Sequence, residues 1–125
     1  MKDDNLIANK SFDFALLIIE LYKELIDNKE FVLSKQILRS GTSIGANVEE
    51  AIGAISKKEF TAKMGISLKE ARETRYWLRL LDKSQLVNID YTNYLKEIDS
   101  IINILTAIVK HQSKINKITN LIFNF

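Results

Sequence analysis

The chain has 125 residues, 46% hydrophobic and 27% charged, which suits one domain with a packed core and a solvated surface. It contains no cysteine, which excludes disulfides, thiolate nucleophiles and cysteine-based metal sites. It also contains no proline, which favours uninterrupted helices. The net charge is only +2, but residues 57–83 hold eight Lys and Arg against four Asp and Glu.

The amino terminus does not resemble a targeting signal. Its first apolar run, residues 14–19, is broken by Glu20 and lacks a cleavage site of small residues. No stretch approaches the ~20 apolar residues that a transmembrane helix requires. We therefore predict a soluble, cytoplasmic protein that does not engage a membrane.

The first predicted helix covers residues 9–27, where apolar residues recur at steps of three and four. One set is Phe12, Ala15, Leu16, Ile19, Tyr22 and Ile26. A second set widens the stripe to more than half of the circumference: Phe14, Leu17, Ile18, Leu21 and Leu25. We expect so apolar a helix to be buried on two sides, by its own bundle and by another subunit.

The second predicted helix covers residues 35–55, with Ser34 as its N-cap. It contains Gly41 and Gly45, and a glycine inside a helix costs roughly 1 kcal/mol relative to alanine. Because the two glycines are four residues apart, they face the same side, where a neighbouring helix is expected to approach closely. A bend near Gly45 is the competing explanation.

The third predicted helix begins with a capping box, in which Ser56 caps the helix and Glu59 follows three residues later. Alternating steps of four and three then define a heptad-like seam, large at both ends and small in the middle. Its members are Phe60, Met64, Ser67, Ala71, Thr74, Leu78 and Leu81. The longest connection, residues 82–90, follows this helix.

The fourth predicted helix covers residues 91–118, with Asp90 as its N-cap. The apolar tail at residues 119–125 is expected either to dock on another chain or to be disordered. Four helices with short connections predict an all-α, antiparallel up-down-up-down four-helix bundle that forms a single domain over residues 1–125.

No catalytic constellation stands out, so we predict a non-enzymatic protein without metal or cofactor. His111 is the only histidine and lacks a partner that would complete a metal site. Four glutamates resemble the carboxylates of a di-iron bundle, but the histidines of such a site are missing. They are Glu49, Glu50, Glu70 and Glu73. Ion pairs with arginines, within or between subunits, are the favoured interpretation, and a carboxylate–metal bundle is the enzymatic alternative.

The basic third helix supplies the candidate nucleic-acid contacts. These are Lys63, Lys69, Arg72, Arg75 and Arg79. A solvated charged face is the ordinary explanation of such a stripe, whereas oligomerisation would multiply it into a basic ring or channel for RNA or DNA.

A second group of polar and aromatic residues is predicted to lie at an oligomer interface, where Trp, Tyr and Arg are enriched. Its members are Arg39, Asn47, Glu50, Glu70, Glu73 and Trp77. The amide of Asn47 is expected to fix register or to bond a neighbouring helix. Ordinary packing of Trp77 at the edge of the bundle is the alternative.

Three motifs carry a resemblance to a known family. They are Ser-Ile-Gly-Ala-Asn-Val-Glu-Glu at residues 43–50, Ser-Lys-Lys-Glu-Phe at 56–60, and Glu-Ala-Arg-Glu-Thr at 70–74 before Tyr-Trp-Leu at 76–78. The segment 34–81 thereby resembles the four-helix-bundle proteins encoded in intervening sequences of 23S rRNA genes. The resemblance implies a left-handed bundle that assembles as a homopentamer. The family is also similar to accessory proteins of diversity-generating retroelements, which are basic pentamers that bind nucleic acid and a reverse transcriptase.

The sequence thus predicts an oligomeric binding module, with RNA or DNA as the candidate ligand. A structural or protein-partner scaffold that binds no nucleic acid is the alternative.

Overall fold

The computed structural model describes residues 2–123 and the side chains of residues 5–123. These residues form four helices: α1 (Lys2–Asp27), α2 (Leu33–Ile52), α3 (Lys57–Ser84) and α4 (Thr92–Phe123). Each helix packs against the next in the chain, and α1 also packs against α4, so that the four surround one core. The predicted all-α four-helix bundle is confirmed, and its left-handed sense stays a prediction.

Successive helices run in opposite directions, as the contacts between α1 and α2 show. Gly45 of α2 faces Ser11 of α1, whereas the earlier Gly41 faces the later Ile18. The connections at residues 28–32, 53–56 and 85–91 are too short to cross the bundle and return. Neighbouring helices are therefore antiparallel.

The core face of α1 is the second apolar set and not the first. A stripe with steps of four and three lies fully buried along the helix: Ile7, Ser11, Phe14, Ile18, Leu21 and Leu25. Phe12, Leu16 and Ile19 of the first set remain 63%, 51% and 39% exposed. The predicted start at residue 9 is wrong, because buried Ile7 extends the core stripe and the helix begins at Lys2. Within this chain α1 is therefore buried on one side only, and burial of its second side by another subunit stays a prediction.

A carboxylate before α2 caps its amino terminus. The chain leaves α1 through Lys29, whose φ of 62° lies in the left-handed region. Glu30 then accepts hydrogen bonds from the backbone N–H groups of Val32, Leu33 and Ser34 at 3.1, 2.9 and 2.6 Å. The predicted N-cap, Ser34, instead lies buried inside the first turn. Glu30 thus satisfies donors that a helix start leaves free.

Burial and hydrogen bonding act on the Glu30 carboxyl in opposite directions. Burial raises its pKa, but the three backbone N–H groups favour the charged form and bring the pKa below its ordinary value. The negative charge also complements the positive end of the α2 dipole.

The two glycines of α2 mark the close approach of α1. A Cβ on Gly41 would lie 2.8 Å from Cγ1 and 2.9 Å from Cγ2 of Ile18, which is fully buried. A Cβ on Gly45 would lie 3.4 Å from the backbone of Ser11. The prediction of close helix packing is confirmed, and the helix runs unbroken through both glycines before ending at Ile52, three residues earlier than predicted.

The amino end of α3 matches the sequence prediction. Ser56 Oγ accepts the N–H of Glu59 at 3.1 Å, and the Glu59 carboxylate reaches the N–H of Ile55 at 3.4 Å. All seam residues of α3 are buried except Phe60, which is partly buried.

The fourth helix begins near the predicted residue but ends later. Asp90 Oδ1 accepts the N–H of Thr92 at 3.0 Å, as a capping carboxylate does. The helix continues beyond the predicted residue 118 to Phe123, so the described part of the tail is helical. Residues 124 and 125 of that tail lie outside the described residues.

Adding a methyl group at two helix-interior glycines should have opposite effects. Gly65→Ala meets no atom within 4 Å and should raise the free energy of unfolding by about 0.5–1 kcal/mol. Gly41→Ala gains the same helix propensity, but its methyl group overlaps Ile18. This variant should therefore lower the free energy of unfolding by about 1–2 kcal/mol. Urea unfolding followed by circular dichroism measures both, and equal stabilisation by the two variants would contradict the close approach.

Removing the charge of Glu30 should destabilise the protein in a pH-dependent way. Glu30→Gln is expected to lower the free energy of unfolding by about 1–2 kcal/mol at neutral pH. Because folding lowers the pKa of this carboxyl, its contribution is present above the unfolded pKa and is lost as pH falls through the folded pKa. The difference from wild type should therefore shrink as the pH is lowered from neutral to below the ordinary carboxyl range. Glu24→Gln, at an exposed position, is the control and should show little change at either pH.

Candidate functional site

Buried hydroxyl groups join α2 to α3 along the middle of their interface. Ser40 Oγ lies 2.9 Å from Thr74 Oγ1, which lies 2.8 Å from the carbonyl oxygen of Glu70. With one proton on each hydroxyl, Ser40 donates to Thr74 and Thr74 donates to Glu70. Further along, Ser67 Oγ donates to the carbonyl oxygen of Ile44 at 2.8 Å. The Ser40–Thr74 and Ser67–Ile44 bonds join the two helices and fix the register between them.

At the outer edge of this interface lies a cluster of four residues, Arg39, Glu70, Glu73 and Trp77, here called the Arg39 cluster. Arg39 Nη1 lies 3.1 Å from Glu70 Oε2, and Arg39 Nη2 contacts Glu73 Oε2. Trp77 Nε1 donates to the same Glu73 oxygen at 3.1 Å. One guanidinium of α2 thus holds two carboxylates of α3.

The charge of Arg39 is neutralised inside one chain, where two carboxylates face one guanidinium. Partial burial lowers the pKa of the guanidinium, but the hydrogen bond and charge of Glu73, followed by those of Glu70, raise it overall. The structure therefore brings together four of the six predicted interface residues within a single subunit. Their role at an oligomer interface stays a prediction.

The other two predicted interface residues lie elsewhere on α2. Asn47 Nδ2 donates to the carbonyl oxygen of Ser43 at 2.9 Å, so the observed bond is within its own helix and not to a neighbouring one. Glu50 Oε2 lies 3.3 Å from Lys63 Nζ of α3. Both residues contribute to one bundle, and neither joins the Arg39 cluster.

A groove of about 700 Å³ runs between α3 and α4, and three arginines lie in it. We call it the arginine groove; it is lined by Arg72, Arg75, Tyr76, Arg79, Asp99, Ile102 and Asn103. The three arginines occupy positions i, i+3 and i+7 of α3, which places them on one side of the helix.

Within the groove, only one arginine is neutralised by a neighbour. Arg75 Nε lies 2.8 Å from Asp99 Oδ1 of α4. Arg72 and Arg79 make no ion pair with any residue whose side chain the structure describes. Tyr76 is 54% exposed, and its ring packs edge-on against Trp77 with centroids 5.3 Å apart. The groove therefore offers cationic donors beside an accessible aromatic face.

The five predicted nucleic-acid residues do not share one surface. Arg72, Arg75 and Arg79 line the arginine groove, whereas Lys63 faces α2 and pairs with Glu50. Lys69 is exposed on α3 and is absent from the groove lining. Counting positions in steps of 100° along α3 separates Lys63 from the three arginines, and that signal was present in the sequence. The same count places Lys69 about 60° from Arg72 and does not separate it. The groove residues from α4, Asp99 and Asn103, were missed because the pairing of α3 with α4 sets their place.

The described residues give little support to a metal site or a membrane-spanning helix. No group of three or more His, Asp and Glu side chains in the described part of the chain is arranged to hold a metal ion. His111 is exposed on α4. None of the described helices combines the length and apolar character needed to cross a membrane.

Comparison with known proteins finds a family model and solved structures that match this chain. The family model described as 23S rRNA-intervening sequence protein matches residues 3–107. A solved protein of unknown function from the S23 ribosomal protein family of Bacteroides thetaiotaomicron is 47% identical, with a TM-score of 0.82. That match covers 86% of this chain and 98% of the solved one. No curated protein matches the chain. The likeness to accessory proteins of diversity-generating retroelements stays a prediction.

The coupling between Arg39 and Glu73 should be modest and intramolecular. A double-mutant cycle with Arg39→Ala and Glu73→Ala is expected to give a coupling energy of about 0.5–1 kcal/mol, because both side chains are only partly buried. Unfolding midpoints should give the same coupling at low and high protein concentration. A coupling that grows with concentration would instead place the partner carboxylate on another subunit.

Proposed function

Because the chain belongs to the 23S rRNA-intervening sequence protein family, we propose that it is a non-enzymatic, self-assembling four-helix bundle that binds nucleic acid. The arginine groove is the proposed interface. The observation that carries the proposal is the arrangement of Arg72 and Arg79 beside Tyr76 in a groove large enough for several nucleotide atoms. No catalytic step is part of this function.

The charges of the groove favour a phosphate backbone as the ligand. Guanidinium groups bind phosphate through two parallel N–H donors and keep their charge at all physiological pH values. Arg72 and Arg79 are seven residues apart, which is roughly 10 Å along the helix. They therefore present two separate cationic points along one groove, as contact with successive phosphates requires.

Tyr76 favours a single strand over a duplex. Its exposed ring lies in the groove between the two arginine positions. Unpaired bases stack on exposed aromatic rings, whereas bases in a duplex are already stacked on each other. Asp99 holds Arg75 in place and gives the groove one negative charge, which limits how strongly it attracts any polyanion. We therefore propose single-stranded RNA or DNA bound with modest affinity per subunit.

A scaffold without nucleic-acid binding is the second candidate, and a specific observation favours it. Three of the basic side chains near α3 are already paired inside the chain, namely Arg39, Lys63 and Arg75. If the remaining basic residues are only a solvated face, the protein acts through its helical surfaces alone. Homopentameric assembly and a cytoplasmic location belong to both candidates and stay predictions.

Reversing the groove charges should weaken binding more than reversing a matched charge outside the groove. Arg72→Glu with Arg79→Glu is expected to reduce affinity for a fluorescent single-stranded RNA 20-mer by about tenfold or more, and to reduce the salt dependence. Lys69→Glu with Lys83→Glu is the control, because it makes the same charge change at exposed sites of the same helix. Fluorescence anisotropy across a salt series measures both.

Three outcomes separate the candidates. A loss confined to the arginine pair supports the groove, and a further loss with Tyr76→Ala supports base stacking. Equal losses in both charge-reversal variants would make binding a property of net charge alone. If the wild-type protein binds no single-stranded RNA at low salt, the proposal is contradicted and the scaffold function is the remaining candidate.

A further inference from the structure

The carboxyl-terminal half of α4 extends beyond the part of the chain that the family model matches. That match ends at residue 107, and the helix continues to Phe123. Residues 108–123, called here the α4 extension, expose large apolar side chains. Ile118, Leu121, Ile122 and Phe123 are 50%, 70%, 60% and 79% exposed. This helical segment has few partners within its own chain.

The α4 extension is amphipathic and basic. Ile115, Ile118 and Ile122 recur at steps of three and four and so share one side of the helix. An adjacent side carries Lys110, Lys114 and Lys117, and residues 108–123 contain no Asp or Glu. An apolar stripe beside a basic stripe is typical of a helix that docks on a surface with the opposite charge.

The same chain displays a surface with those properties on α1. Phe12, Leu16 and Ile19 form an exposed stripe of the same two-turn length as the stripe on the extension. Asp13 and Glu20 lie exposed beside it, and Glu20 also pairs with Lys23 of the same helix at 3.5 Å. Within residues 5–27 there are four acidic residues against two lysines, so this helix is negative where the extension is positive.

A recess next to Phe12 adds shape to the α1 surface. It has a volume of about 220 Å³ and opens between α1 and α2. Small residues form much of its wall, including Ala8, Ala15 and Ala46. A recess of this kind accepts one large aliphatic or aromatic side chain from a partner.

We propose that the α4 extension of one copy packs on the exposed α1 stripe of a second copy. The contact must be between chains, because α4 is one unbroken helix and cannot fold its end back onto its own α1. Pairing of two extensions is disfavoured, since it would bring six lysines together without an acid. A phosphate backbone would leave the isoleucine stripe exposed, whereas the α1 stripe covers it and is covered in return.

The two surfaces differ, so the contact is heterologous. Each copy donates an extension and accepts one, which generates a closed ring or an open chain according to the rotation between copies. The contact does not involve the arginine groove. Loss of nucleic-acid binding and loss of this contact are therefore separate outcomes, each measurable without the other.

Charge reversal on both surfaces tests the proposal in the full chain. Lys114→Glu with Lys117→Glu should weaken self-association in sedimentation velocity by at least about tenfold, as should Asp13→Lys with Glu20→Lys. The four changes combined in one chain should restore association. Lys35→Glu with Lys83→Glu is the matched control at exposed sites elsewhere and should leave association unchanged. Failure of the fourfold variant to recover would overturn the contact.

Cross-linking tests the geometry, because the natural chain has no cysteine. Leu16→Cys and Ile118→Cys, made in separate chains and mixed with a short bis-maleimide, should give a heterodimer within minutes. Ile55→Cys, whose side chain is 96% exposed, replaces Ile118→Cys in the control mixture and should cross-link at least about tenfold more slowly.

Other occupants of the extension would give different results, each of which overturns the proposal. Cross-links only between two Ile118→Cys chains would indicate paired extensions. Absence of the heterodimer, together with binding to vesicles of anionic phospholipid that Lys114→Glu with Lys117→Glu abolishes, would indicate a membrane surface. Equal cross-linking in the test and control mixtures would indicate random collision.

Discussion

The close approach of α1 to α2 is the constraint on which the bundle depends. Gly41 leaves no room for a side chain against Ile18, so these two helices lie nearer than larger residues would permit. On its other side α2 meets α3 through the small hydroxyl residues Ser40 and Thr74. One helix built of small residues thus fits between two partners, and large side chains fill the core on either side of it. The loss of helix propensity at the glycines is offset by this packing.

The α2–α3 interface then determines which charges are available for binding. Buried hydroxyl bonds fix the register, and that register brings Arg39 opposite Glu70 and Glu73. It also brings Lys63 to Glu50. On α3, Lys63 is therefore neutralised by α2, whereas two of the three arginines in the arginine groove keep their charges. The asymmetry of α3 follows from its packing and not from its composition.

Much of the fold could be predicted from the sequence because the periodic patterns are strong and local. The seam of α3 and its Ser56 cap were read correctly from spacing alone. The core side of α1 was not, since both apolar sets fit a helical period and the decisive stripe passes through a serine, Ser11. Propensity rules look for a cap next to the helix, whereas Glu30 follows the left-handed Lys29 and caps α2 from three residues before its first residue, Leu33.

The candidate sites were less predictable, because their partners come from distant parts of the chain. The carboxylates that hold Arg39 are 31 and 34 residues away. Asp99 in the arginine groove belongs to a helix whose alignment with α3 no local pattern specifies. Sequence spacing placed Arg72, Arg75 and Arg79 together but could not show which of them would be neutralised. Only the arrangement of helices decides that.

The length of α4 has a consequence for avidity. Asn103 in the groove and Phe123 at the helix end are separated by 20 residues of continuous helix, roughly 30 Å. In an assembly joined through the helix end, this rigid spacing holds neighbouring grooves at a set distance and orientation. If the groove binds single strands as we propose, a long strand that enters one groove meets the next at a high effective concentration. Such an assembly would then hold long single strands and release short ones.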